Sequence, residues 1–182
     1  MRSLQLALLT LAIAAPAAAQ NVGQFSFDLD VPEGHFSYWA AEDIGAAEVL
    51  EAEIAVTELR RHRRYAPVFG LHLTGAGGAS EGERVSLMLT PTPNRRALTG
   101  FLSVFRPGSE EPARLDLPGT FALDDTLSVR IDWSSDERVV VALAGESMSL
   151  PASWLTPVQF RASASTGQMK AYRLALREAA DS

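Results

Sequence analysis

No cysteine occurs among the 182 residues. That absence excludes a disulfide framework, a thiol nucleophile, thiolate zinc sites, iron–sulfur clusters and a lipid-modified N-terminal cysteine. Basic residues are outnumbered as well: 16 Lys and Arg stand against 22 Asp and Glu, for a formal charge of −6. Phosphate backbones are held by concentrated Lys and Arg, so nucleic acid is not an expected partner. Lys170 is the only lysine. Aromatic residues make up 8% of the chain and there are three histidines, few enough to follow one by one. After residue 19 no apolar run approaches the roughly 20 residues a helix needs to cross a bilayer. The length is nevertheless enough to bury a core without metal or disulfide support.

The first 19 residues read separately. Arg2 supplies a positive start, Leu4 to Ala15 form an apolar stretch, Pro16 breaks it, and Ala17-Ala18-Ala19 offers the small residues that signal peptidase accepts. The apolar stretch is too short for a membrane anchor. The expectation is a signal peptide over 1–19, cleaved near Ala19/Gln20, and a periplasmic or secreted domain over 20–182. An exported chain without disulfides must rest on packing and backbone hydrogen bonds, which suits a sheet-rich domain.

From Gln20 onward apolar and polar residues mostly alternate, the period of a half-buried strand. Gln24 to Asp30 puts Phe25 and Phe27 on one face. Thr126 to Trp133 puts Val129, Ile131 and Trp133 on one side and Arg130 and Asp132 on the other, which assigns Trp133 to the core. A turn at Ser134-Ser135-Asp136 leads into a strand at Arg138 to Leu143, and Ala144-Gly145-Glu146 supplies the next turn. Further strands are expected at Ala66–Thr74, Glu83–Thr90, Ala97–Phe105, Pro157–Ala164 and Met169–Leu176. Gly75-Ala76-Gly77-Gly78, Pro91-Thr92-Pro93-Asn94, Pro107-Gly108-Ser109 and Pro118-Gly119 punctuate them. Such spacing points to an all-β fold, a sandwich or barrel.

Two segments read both ways. Ala46 to Arg64 is rich in helix formers, yet Leu50, Ala52, Ile54 and Val56 alternate and Ile54, Val56 and Thr57 are β-branched. Strand is favoured there, with helix as the alternative. Met169 to Ala179 carries a helical stripe of Met169, Tyr172, Leu176 and Ala179, and a strand pattern of Tyr172, Leu174 and Leu176. Strand is again favoured.

The last third has a recognisable layout. Thr126–Trp133 turns tightly into Arg138–Leu143; a Gly-Glu turn, Leu150-Pro151 and Pro157–Ser163 follow, and a turn at Gly167 leads into Tyr172–Leu176. This resembles the C-terminal half of a concanavalin A-like lectin/glucanase jelly roll, over roughly residues 24–177. The resemblance implies a two-sheet antiparallel β-sandwich serving carbohydrate binding, glycan hydrolysis, glycan lysis or adhesion, and fold alone does not choose among these.

The enzymes of that fold leave partial traces. The laminarinase-type glucanases carry Glu-x-Asp-x-x-Glu or Glu-x-Asp-x-Glu on one strand, where alternation turns the carboxylates into one cleft. Glu51-Ala52-Glu53 is the nearest match, but the third carboxylate is replaced by Val56 or Ala55. The alginate lyases carry Arg-Thr-Glu-Leu-Arg. Thr57-Glu58-Leu59-Arg60 matches four of those positions, while His72 lacks the preceding Gln and Lys170-Ala171-Tyr172 is a poor substitute for the Tyr-rich strand. His35, His62 and His72 show no His-x-x-x-His zinc spacing. No Gly-x-Ser-x-Gly elbow occurs, and the glycines at 75–78 lack the ending of a phosphate loop. Asp124-Asp125 is the one calcium option, without an EF-hand pattern around it; no other cofactor is expected.

Binding residues fit better. Tyr38-Trp39, Tyr65, Phe105 and Trp154 lie near strand ends or loops, where aromatic rings can stack on sugars. Arg60-Arg61-His62-Arg63-Arg64 is the densest charge run, either a solvated loop or a contact for an anionic glycan or acidic surface. Glu51, Glu53, His72 and Arg84 would form an unusual polar group if adjacent strands of one sheet carried them. The expected protein is a non-catalytic glycan- or surface-binding module using Glu51, Glu53, His72, Arg84, Tyr38 and Trp39. One alternative is a glycoside hydrolase or polysaccharide lyase using Glu51, Glu53 or Glu58 with His72 or Arg60. Another is a structural or assembly module with no small ligand.

Overall fold

A computed structural model describes residues 21–76 and 83–179. The expected signal peptide, its cleavage point and Gly77-Gly78 of the glycine run lie outside the described residues. Within them there is no helix, so none long and apolar enough to cross a membrane. The strands are β1 (Asn21–Ala41), β2 (Val49–Leu59), β3 (Val68–Gly75), β4 (Arg84–Pro91), β5 (Ala97–Phe105), β6 (Ala113–Asp116), β7 (Phe121–Ala122), β8 (Leu127–Ser135), β9 (Arg138–Leu143), β10 (Glu146–Pro151) and β11 (Pro157–Arg177). Both ambiguous segments are strands. In β2, alternation wins over helix propensity because Leu50, Ala52, Ile54 and Val56 all bury on one side. At Ala144-Gly145 both residues take positive φ, 49° and 93°. That backbone matches the twist of the β9–β10 hairpin.

The strands pair antiparallel along the path β10-β9-β8-β2-β11-β3-β4-β5-β6, with β1 on β11 and β7 on β5. Two long strands fold this path into layers. The second half of β11 lies between β2 and the first half of β1: Leu174 faces both Ala52 and Phe25. Its first half lies between β3 and the second half of β1: Ala162 faces both Leu71 and Trp39. One layer therefore holds β10, β9, β8 and β2, the other β3, β4, β5, β6 and β7, and β1 and β11 run through both. Their inner faces meet in one hydrophobic cluster. A Cβ on Gly100 of β5 would come within 3.1 Å of Leu143 of β9, in the opposite layer. Phe69 and Phe160 are fully buried in this cluster; such a side chain contributes about 1.5–3 kcal/mol by leaving water. Trp133 packs against it, as its phase in β8 predicts.

The passage between layers is a sharp corner. β1 loses register between Val31 and Phe36, with Gly34 at φ 75°, and beside it Thr166 of β11 sits at φ 55°. Positive φ is costly for a β-branched residue, about 1–3 kcal/mol. The buried Thr166 hydroxyl accepts a hydrogen bond from the Gly34 amide at 3.3 Å, and its carbonyl accepts one from the Arg60 amide at 3.0 Å. These bonds hold the bend in place.

The turn expected at Gly167 is not there. β11 runs unbroken from Pro157 to Arg177, joining the two strands expected at 157–164 and 169–176. Gly167 marks a bend inside one strand: a Cβ there would lie 2.4 Å from the Glu58 carbonyl oxygen and 2.9 Å from the Phe69 ring. The glycine is required by close approach of backbone, not by chain reversal. Similarly, β8 reaches Ser135, which pairs with Arg138, so the hairpin turn is Asp136-Glu137. Replacement Gly167→Ala is expected to lower the unfolding free energy by about 1–3 kcal/mol, because the obstructing atom is a backbone carbonyl. A urea titration checks this; an unchanged midpoint would contradict the bend described.

Candidate functional site

The outer face of the second layer carries a groove. Register sets its composition. On β11, alternation turns Arg161, Ser163 and Ser165 outward while Phe160, Ala162 and Ala164 bury. The neighbouring strand β3 presents Val68, Gly70, His72 and Thr74, and β4 presents Arg84, Ser86 and Met88. Rungs across the sheet follow from the pairing. Tyr38, Ser163, Gly70 and Met88 form one, and Arg161, His72 and Ser86 the next. Small residues in the middle of the first rung leave a trough of about 360 Å³. Phe36 and Tyr38 stand along its β1 side, 66% and 54% exposed.

His72 lies flat over Gly70. A Cβ at position 70 would be 2.6 Å from the imidazole Cε1 and Nε2, so only glycine admits this ring position. Ser86 Oγ is 2.8 Å from Nδ1 and Ser163 Oγ is 2.7 Å from Nε2. Burial, then the charges of Arg84 and Arg161, push the His72 pKa down to about 4. The ring is neutral at pH 7, and one nitrogen donates to a serine while the other accepts. This is not the arrangement of a nucleophile and base. Ser86 and Ser163 are 1% and 5% exposed, and no described carboxylate orients the imidazole. The relay fixes the polar floor of the groove. Two groove atoms have unmet capacity: Thr74 Oγ1 and Arg161 Nε are buried with no hydrogen-bond partner. The Arg161 guanidinium carbon lies 5.2 Å from the Tyr38 ring centroid.

Glu51 and Glu53 are elsewhere, which corrects the expectation of one polar group with His72 and Arg84. They point outward from β2 in the first layer and line a depression of about 520 Å³ with Ser128, Arg130, Arg173 and Arg177. The separation arises at the corner, because β2 and β3 pair with different halves of β11. Glu51 is held by Arg130 at 2.8 Å and Arg177 at 3.3 Å. Glu58 is exposed at the corner, where Arg60 bridges it at 2.7 Å and Asp30 at 2.6 Å. Trp39 turns inward and packs on Phe25, Phe27 and Phe160, with ring centroids 5.1, 5.6 and 6.2 Å away. Of the six binding residues expected, Tyr38, His72 and Arg84 share the groove. Phe36 and Arg161 were missed. The signal for each was its phase: Phe36 sits two residues before Tyr38, and Arg161 stands in the outward run Gln159, Arg161, Ser163, Ser165. Among the described residues no three His, Asp or Glu side chains are placed to hold a metal ion.

A two-layer antiparallel sandwich of this strand order, with a groove across one face, is a concanavalin A-like jelly roll. No protein-family model matches the sequence, and no curated protein matches it. Solved structures do match. The lumenal domain of VIP36 in its Ca2+/Man2-bound form is 12% identical, with 87% of this chain and 82% of that one covered, at a TM-score of 0.58. The β-glucanase of Bacillus licheniformis is 9% identical, covering 90% and 82%, at 0.53. An alginate lyase of Pseudomonas aeruginosa is 14% identical, covering 79% and 67%, at 0.50. At such identities the likeness is one of fold.

The lowered His72 pKa has a pH consequence. The unfolded chain binds the proton near the ordinary value of 6.5, the folded chain only near 4. Stability from the neutral ring is therefore fully present above pH 6.5 and is lost as pH falls toward 4, by up to about 1.4 kcal/mol per pH unit. NMR titration of the imidazole nitrogens is expected to give a midpoint near 4; a midpoint near 6.5 would contradict the buried relay.

Proposed function

We propose that the protein is an exported, non-catalytic carbohydrate-binding module whose ligand lies in the groove over Gly70 and His72. The observation that carries this reading is the pair of exposed rings, Phe36 and Tyr38, bordering a trough that Arg84, Arg161 and Ser165 also line. Sugar rings present C–H faces that stack on aromatic rings and hydroxyls that need positioned partners. Solved relatives in fold include a β-glucanase, an alginate lyase and a Man2-bound domain, which supports a carbohydrate role. Export rests on the N-terminal pattern Arg2, Leu4–Ala15 and Ala17-Ala18-Ala19, with cleavage near Gln20.

A hydrolase is the second reading, favoured by Glu51 and Glu53 flanking one depression. Retaining glycosidases use two carboxyl groups about 5–5.5 Å apart, one of them free to carry a proton. Clamped between Arg130 and Arg177, Glu51 is poorly placed to protonate a leaving group.

Residues 20–182 titrated against a glycan panel, beside a reducing-sugar release assay, separate these readings. Binding without release is expected, with Tyr38→Ala weakening it about tenfold, the equivalent of ~1.4 kcal/mol. Release that disappears in Glu51→Gln or Glu53→Gln would establish the hydrolase. Neither binding nor release would leave an assembly role.

A further inference from the structure

We infer that the ligand is a polyanionic glycan, bearing carboxylate or sulfate groups along its length, and that it runs from the groove across the corner onto the basic loop at residues 61–65. The inference rests on the groove being the glycan site and adds its chemical class and its extent.

Arg161 carries the first half. Arg60, Arg114, Arg130 and Arg177 each form an ion pair with a carboxylate. Arg161, in the floor of the groove, forms none among the described residues, and its Nε is a buried donor without an acceptor. No described Asp or Glu lines the groove, although the protein as a whole is acidic. An unpaired guanidinium in a partly desolvated trough is costly until an anion meets it, and its planar fork matches a carboxylate or sulfate edge. Tyr38, beside the guanidinium, supplies a ring face for the sugar that bears the charge.

Continuity carries the second half. The groove runs along β3 from Thr74 to Val68, about 20 Å at the usual strand rise. At the Val68 end stands Phe36, 6.4 Å by ring centroid from Tyr38. Two residues earlier is Gly34, whose missing Cβ makes room for the His62 ring at 2.9 Å. His62 in turn stacks on Tyr65, with centroids 5.0 Å apart. The aromatic line thus continues around the corner into a loop where Arg61, Arg63 and Arg64 are exposed and form no ion pair among the described residues. Among the described residues lining that surface, Glu33 is the one carboxylate. Arg60 belongs to the scaffold, being bound by Asp30 and Glu58 while its amide holds Thr166. A ligand touching both Arg161 and Arg63 must span several sugar units.

Calorimetric titration of residues 20–182 with defined oligosaccharides tests this. The probes are a uronate dimer and hexamer, a sulfated hexamer, and a neutral glucan hexamer, each at low and raised salt. Expected are at least tenfold tighter binding of an acidic hexamer than of the neutral one, and weakening by salt. Arg161→Gln should weaken the acidic hexamer about tenfold more than the neutral one, with an unaltered thermal midpoint showing the fold intact. Arg61→Gln/Arg63→Gln/Arg64→Gln should weaken the hexamer and spare the dimer. Uronate and sulfate arms tell which acid group is preferred, and a preference for either supports the inference. Equal affinity for neutral and acidic hexamers, or equal effects of Arg161→Gln on both, would overturn the anionic class while leaving glycan binding in place. No binding of any probe would overturn both.

Discussion

Gly167 lies against the Glu58 carbonyl oxygen and the Phe69 ring with no room for a side chain, and around that contact β1 and β11 bend together from one layer into the other. The bend requires Thr166 and Gly34 at positive φ, and the hydrogen bonds among Gly34, Thr166 and Arg60 offset part of that strain. Much else depends on it. The two layers share their central strands, so their inner faces are brought over each other by continuous backbone as well as by packing. The outer face of the first half of β11 becomes the floor of a groove, while the second half helps carry a separate, salt-bridged face. The loop after β2 is hung from the corner through the Arg60 amide.

The two outer faces differ in how their charges are met. Around Glu51, Arg130 and Arg177 pair with carboxylates within 3.3 Å, although Arg177 Nε is buried without a hydrogen-bond partner. Around His72 the polar groups are hydroxyls, a neutral ring and the Arg84 guanidinium, and Arg161 forms no ion pair among the described residues. The first face is tied by ion pairs; the second is bordered by two exposed rings. On the proposed reading, the His72 face orients a ligand through its two exposed rings and the Arg161 cation.

Much of the fold could be read from alternation. Leu50, Ala52, Ile54 and Val56 announce the buried face of β2, and Val129, Ile131 and Trp133 that of β8. These are local properties with a period of two. Tyr38, His72 and Arg84 were recognisable for a related reason: each is a bulky or charged side chain in the outward phase of a strand. The grouping of Glu51 and Glu53 with His72 could not be tested locally, because which half of β11 each strand joins is a matter of long-range pairing. Gly167 misleads in the same way. A glycine between two alternating runs ordinarily signals reversal, and only the proximity of Glu58 and Phe69, distant in sequence, explains a bend. Trp39 was expected among the binding residues, and the aromatic cluster with Phe25, Phe27 and Phe160 places it on the core side of β1 instead.

Where a glycan binds can be read most directly from amide chemical-shift changes on residues 20–182 during titration with an acidic oligosaccharide. Changes should concentrate at Phe36, Tyr38, Gly70, His72, Met88, Arg161 and Ser163 and extend to residues 61–65, with Glu51, Ser128 and Arg130 unmoved. Changes centred on Glu51, Glu53 and Arg130 with the groove silent would contradict the assignment of the binding face.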